Sequence, residues 1–112
     1  MSDKNTVHGS IASIRKERKH ADLFRFALTG NKIITFFDPT TMHPDDADKA
    51  MQFGAVNTGT TWREALAVMV SAEDLKKVEA EVDAGKMDIY EMGEMIGLYQ
   101  EHYNKFYGTP EK

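Results

Sequence analysis

The chain has 112 residues, of which 41% are hydrophobic and 29% charged, and its formal net charge is −4. This length suits one domain with a modest core, and no apolar run approaches the roughly 20 residues of a membrane-spanning helix. The lack of Cys excludes disulfides and thiolate catalysis. Because the N-terminal sequence MSDKNTVHGS also lacks the apolar segment of a signal peptide, we expect a cytoplasmic protein.

Positive and negative charges are separated along the chain. Residues 1–37 carry seven Lys and Arg against three acidic residues, whereas residues 38–70 carry two against five and residues 71–112 five against ten. We predict that residues 1–21 form a basic, partly flexible arm with a short helix after Ser10. Its candidate contact residues are Arg15, Lys16, Arg18 and Lys19.

Three roles are open to this basic cluster. It can remain a solvated segment, bind nucleic acid, or dock on an acidic surface of a partner or of a second copy. The acidic remainder of the chain and the lack of interleaved aromatic residues argue against nucleic acid. A solvated segment is therefore the simplest expectation.

Residues 22–37 predict a β-hairpin. Two runs rich in β-branched and aromatic residues flank the turn sequence TGNK, in which Gly30 and Asn31 can adopt positive φ. Alternation places Phe24 and Phe26 on one face. A lone hairpin is barely stable in water, so we expect this one to pack on helices.

Four helices are predicted to follow, over residues 44–53, 61–70, 72–84 and 88–107. Each start carries a signal, namely a first-turn proline or a side-chain N-cap, at Pro44, Thr61, Ser71 and Asp88. The short connection around Gly85 favours an antiparallel pair of the last two helices. In helix 72–84, Leu75, Val78 and Val82 are expected to face the core and Glu81 to face water. Residues 22–112 are thus predicted to form a single globular α+β domain, mainly α, with the hairpin packed on three to four helices.

The last helix has the clearest pattern in the chain. Apolar residues recur in steps of three and four from Ile89 to Phe106, and Leu98 widens the stripe. The stripe can pack on the domain's own core, or it can also bind a partner, since Met and Tyr adapt to irregular apolar surfaces. For the second alternative, the hypothetical contact residues are Met92, Met95, Ile96, Tyr99, Tyr103 and Phe106. If the core takes up the stripe, the Phe-rich hairpin is the next candidate.

No pattern indicates catalysis. The sequence has no phosphate-binding Gly loop, no G-x-S-x-G and no H-E-x-x-H. Glu101 and His102 are adjacent and expected to lie at the surface. The acidic cluster at residues 43–48 lacks the Gly turn and distant Glu of a calcium loop. We therefore expect a protein without catalytic activity, cofactor or metal.

Three segments together carry a resemblance to a known family. A β-rich opening, FRFALTGNKIITFFDP, leads into WREALAVMVSAEDLKKVEAEVDAG, and the chain closes with YQEHYNKFYGTPEK. In this order they resemble the small tail assembly chaperones of long-tailed bacteriophages, especially those of actinobacteria. The resemblance covers roughly residues 23–112, and the matching positions are Trp62, Ala65, Leu66, Glu73, Asp74, Lys77, Glu101, His102, Tyr103, Gly108 and Pro110. The basic N-terminus and the Met-rich last helix depart from the family pattern.

The resemblance implies a function. Such chaperones bind the tape-measure protein, keep it soluble and help to recruit tail-tube subunits in the host cytoplasm, and they are absent from the finished virion. Many are made in two lengths by ribosomal frameshifting, and this chain would be the short form. Self-association is compatible with several copies along one client. The alternatives are a small nucleic-acid-binding regulator that uses the basic arm, and a minor structural or connector protein of the virion.

Overall fold

In the computed structural model, which describes residues 8–54 and 61–108, two strands and five helices follow one another along the chain. A short helix α1 (Ile11–Glu17) precedes the strands β1 (Phe24–Ala27) and β2 (Ile33–Phe36). The helices α2 (Pro44–Gln52), α3 (Trp62–Met69), α4 (Ala72–Asp83) and α5 (Ile89–Tyr107) then complete the domain. The predicted α+β class, mainly α, with a hairpin packed on helices is confirmed.

The hairpin forms as predicted. The two strands pair antiparallel, with Phe24 opposite Phe36 and Ala27 opposite Ile33. In the turn, Gly30 and Asn31 have φ of 69° and 64°, the left-handed conformation that Gly and Asn tolerate best. One further bridge joins Phe36 to Val70, directly after α3, so the C-terminal end of α3 extends the hairpin by one pair.

The helices begin where their capping residues stand. Ser10, Thr61, Ser71 and Asp88 each accept a hydrogen bond from the backbone N–H three residues on, which satisfies a donor that the first helical turn leaves free. Asp88 and Glu91 form a complete capping box. These local bonds explain why the predicted starts of α3, α4 and α5 lie within one residue of the observed starts.

The core lies between the hairpin and α3, α4 and α5. Phe36 packs on Tyr99 with ring centroids 4.9 Å apart, and Phe24 packs edge-on against Phe36 at 5.3 Å. Val78 from α4 and Leu66 from α3 are fully buried in the same cluster. The hairpin is therefore held by aromatic packing, as the instability of a lone hairpin requires.

One expectation for α4 is wrong. Glu81 does not face water: its side chain is buried and accepts hydrogen bonds from the Thr29 N–H and hydroxyl, at 3.2 and 2.7 Å. The backbone of α4 lies close to α3 and β2, and that of α5 lies close to β1. The antiparallel pairing of α4 with α5 stays a prediction.

Candidate partner-binding groove

The predicted contact stripe on α5 is mostly core. Met92, Met95, Ile96, Tyr99 and Tyr103 are all buried. These five side chains therefore belong to the core, and of them Tyr103 alone also borders the groove described next. The sixth residue, Phe106, is 48% exposed. Two other residues of the stripe, Ile89 and Leu98, are 60% and 50% exposed. The hairpin packs against Tyr99, His102 and Tyr103 of this helix.

The end of the stripe instead forms one side of an open groove. This groove, the α2–α5 groove, has a volume of about 520 Å³ and lies between α2 and the C-terminal turns of α5. Its apolar lining consists mainly of Met42, Ala47 and Met51 on one side and Tyr103 and Tyr107 on the other. A volume of this size falls in the range of sites that bind ligands.

One glutamine fixes the separation of the two helices. The Gln100 side-chain amide on α5 donates to the carbonyl oxygens of Ala50 and Phe53, at 2.9 and 3.0 Å. These carbonyls belong to the C-terminal end of α2, where the helix leaves acceptors free. This side chain therefore links the C-terminal end of α2 to α5.

A network around buried Asp38 holds the other end of the groove. Tyr107 donates its hydroxyl proton to the Asp38 carboxylate and accepts from the Ala21 N–H at 3.0 Å. The second Asp38 oxygen accepts from the Thr40 N–H and hydroxyl, each at 2.8 Å. Burial raises the pKa of the Tyr107 hydroxyl, and its hydrogen bond to Asp38 acts in the same direction. Tyr107 is therefore a neutral donor that joins the chain at Ala21 to the start of the groove.

Tyr103 and His102 tie α5 to the hairpin. The Tyr103 hydroxyl accepts from the Phe24 N–H at 3.0 Å and donates to the Phe36 carbonyl at 3.2 Å, and burial raises its pKa. His102 Nε2 lies 2.6 Å from the Asp22 carbonyl oxygen and its ring packs on Phe24. His102 thus contacts the residue before β1 and the first residue of β1.

The edge of the groove carries charges of both signs. Arg18 from the basic arm and Asp48 from α2 both line it. All residues from His8 to His20 are exposed, so the candidate contacts Arg15, Lys16, Arg18 and Lys19 are available at the surface. The sequence does not predict that the arm ends beside the groove, because long-range contacts such as the hydrogen bond from the Ala21 N–H to Tyr107 bring the two together.

No group of three or more potential metal ligands occurs within residues 8–54 and 61–108. At the start of the acidic segment, His43 Nδ1 accepts from the Asp45 N–H at 3.1 Å and caps α2. In the same described part of the chain, none of the helices has the length and apolarity to cross a bilayer.

Comparisons of the chain with protein-family models, with curated proteins and with solved structures find no match.

Proposed function

We propose that this protein is a tail assembly chaperone of a long-tailed bacteriophage. In this role it binds an apolar helical segment of the tape-measure protein in the α2–α5 groove, without catalysis, and helps to recruit tail-tube subunits in the host cytoplasm. The family resemblance of residues 23–112 supports the class of protein. The groove is the observation that supports the mode of binding.

The lining of the groove suits a helical client. A helix docks in a groove through apolar side chains at intervals of three and four residues. Met42 and Met51 are partly buried and lie on one side, and the Tyr rings form the other. Because the unbranched Met side chain adopts many shapes, such a lining can hold different apolar side chains and release them again. Exchangeable binding is what displacement during tube growth requires.

Co-expression with a tape-measure fragment followed by pull-down tests this proposal. Ala47 lies on α2 and lines the groove, so Ala47→Glu places a charge in the apolar lining while keeping a good helix former. We expect capture to fall at least tenfold. Ala80→Glu is the matched control, since Ala80 is exposed on α4 and its variant should capture the fragment like the wild type.

Equal capture by both folded variants would exclude the groove as the client site. The class of protein has a separate test, which is the protein content of purified phage particles. A chaperone is expected in infected-cell lysate and not in the particles, whereas a stoichiometric amount in particles would indicate a connector or another structural component.

A further inference from the structure

In the described part of the chain, no other element packs on helix α1. It has seven residues, a Ser10 N-cap and no buried residue. Ile11 and Ile14 stand on the same side of it, 65% and 51% exposed. Helices this short are marginal in water because nucleation is costly, and most gain their stability from packing of an apolar face. A surface that covers Ile11 and Ile14 would account for the helix.

The α2–α5 groove matches this helix in apolarity and in charge. Residues 11–20 carry four Lys and Arg against one Glu, whereas α2 carries three Asp against one Lys. Asp48 is at the groove edge, and Asp45 lies one turn before it on the same helix. Basic residues on the last turn of α1 would therefore meet acidic residues while the two Ile side chains enter the apolar lining.

The chain geometry favours the groove of a second copy over the helix's own groove. Ala21 is fixed, because its N–H donates to Tyr107, and only Arg18, Lys19 and His20 separate it from α1. Arg18 is extended, with φ −70° and ψ 130°, and none of the three residues is of a type that favours reversal of the chain. Folding α1 back over its own groove would require a tight turn in this segment.

We propose that, in the free protein, α1 of each copy lies in the α2–α5 groove of the other. Arg18 borders the groove of its own copy, so each arm leaves the domain beside the groove that the arm of the other copy occupies. A two-fold axis can bring both grooves together. Arg15 and Lys16 then pair with Asp45 and Asp48 of the second copy. The pairing covers the apolar lining until a competing helix displaces it. This inference concerns the free protein, so it holds whether or not the client is a tape-measure protein.

Sedimentation velocity on the nuclease-treated 112-residue chain tests the exchange. The wild type is expected to form a dimer that dissociates on dilution and at high salt, since exposed charge pairs are screened. Two double variants reverse the charge of the arm and of the groove separately. The arm variant is Arg15→Glu with Lys16→Glu, and the groove variant is Asp45→Lys with Asp48→Lys. Each alone should be monomeric, because its arm and groove carry the same sign.

A 1:1 mixture of the two variants should restore the dimer, because each arm then meets a groove of opposite charge. Lys76→Glu, at an exposed position of α4, is the control and should dimerise like the wild type. A wild type that stays monomeric at all concentrations, or a mixture that stays monomeric, would overturn the proposal. Neither result involves a client, so failure here is distinct from failure of the pull-down.

Discussion

Two tyrosines one helical turn apart on α5 have opposite hydrogen-bond environments. Tyr103 joins both strands through its hydroxyl, to the Phe24 N–H and the Phe36 carbonyl. The Tyr99 hydroxyl is buried and finds no hydrogen-bond partner in the described part of the chain. Burial also raises the pKa of Tyr99, so the group stays neutral. The Tyr103 hydroxyl thus links the two strands, whereas burial of the Tyr99 hydroxyl costs desolvation energy without a hydrogen bond to offset it.

Removing each hydroxyl should therefore affect the free energy of unfolding differently. Tyr103→Phe leaves two strand groups without their partner and should lower the free energy of unfolding by about 1–3 kcal/mol. Tyr99→Phe removes an unpartnered polar atom and should leave stability unchanged or raise it by about 1 kcal/mol. Urea unfolding of both variants gives the comparison. A loss of stability in Tyr99→Phe equal to that in Tyr103→Phe would contradict the assignment of hydrogen bonds.

The buried Glu81 carboxylate should make stability sensitive to acid. Its hydrogen bonds from the Thr29 side chain lower its pKa in the folded state, and Lys32 acts in the same direction. A lowered folded pKa stabilises the fold above the unfolded value of about 4.3 and loses this contribution as pH falls through the folded value.

Glu81→Gln should consequently be less stable than the wild type at pH 7, and the difference should shrink below about pH 4. Urea unfolding of both proteins at neutral and acidic pH measures it, because the other carboxyl groups cancel in the difference. Thr29→Val should reduce the same pH dependence. A difference that stays constant over this range would show that the carboxylate charge has no part in it.

At the scale of the elements, the sequence predicts what is local and fails where distant neighbours decide. The starts at Ser71 and Asp88 follow from bonds within four residues, so residue types at fixed spacing were sufficient. The burial of Glu81 depends on where the hairpin turn lies, because the Thr29 N–H donates to this carboxylate. Periodicity identifies the apolar face of a helix but not how far along the helix a neighbour covers it. The α2–α5 groove was not predictable for the same reason.

Two glycines inside α5 offer a test of helix propensity. Gly93 and Gly97 are exposed, and a Cβ at either position would meet no atom within 4 Å. Since Gly is less favourable than Ala in a helix interior by about 1 kcal/mol, Gly93→Ala and Gly97→Ala should each raise the free energy of unfolding by about that amount.

The control for these variants is Gly85→Ala. Gly85 has φ +73° between α4 and α5, a conformation in which Ala is strained, so this substitution should destabilise the protein by about 1 kcal/mol. Thermal unfolding of the three variants would reveal the contrast. Destabilisation by Gly93→Ala would mean that the outer face of α5 is tightly packed in solution.

For the whole molecule, the α5 tyrosines connect parts that are distant in sequence. Tyr107 joins Ala21 to Asp38, Tyr103 joins the two strands, and Tyr99 packs on Phe36. Successive turns of α5 therefore contact the end of the arm, the hairpin and one side of the α2–α5 groove. Any change that ionises these hydroxyls should act on the fold and on the groove together.

Alkaline pH is such a change. The pKa values of Tyr99, Tyr103 and Tyr107 are all raised, chiefly by burial. When the folded pKa lies above the unfolded value of about 10, the contribution of the group to stability is complete below the unfolded value. This contribution is lost as the pH rises through the folded pKa. We expect tyrosinate absorbance and the loss of helical circular dichroism to rise together above about pH 10. Tyr107→Phe should lose the Asp38 and Ala21 contacts already at neutral pH and weaken both dimerisation and client capture. Full ionisation of every tyrosine with the helical signal intact would contradict the burial of these three hydroxyls.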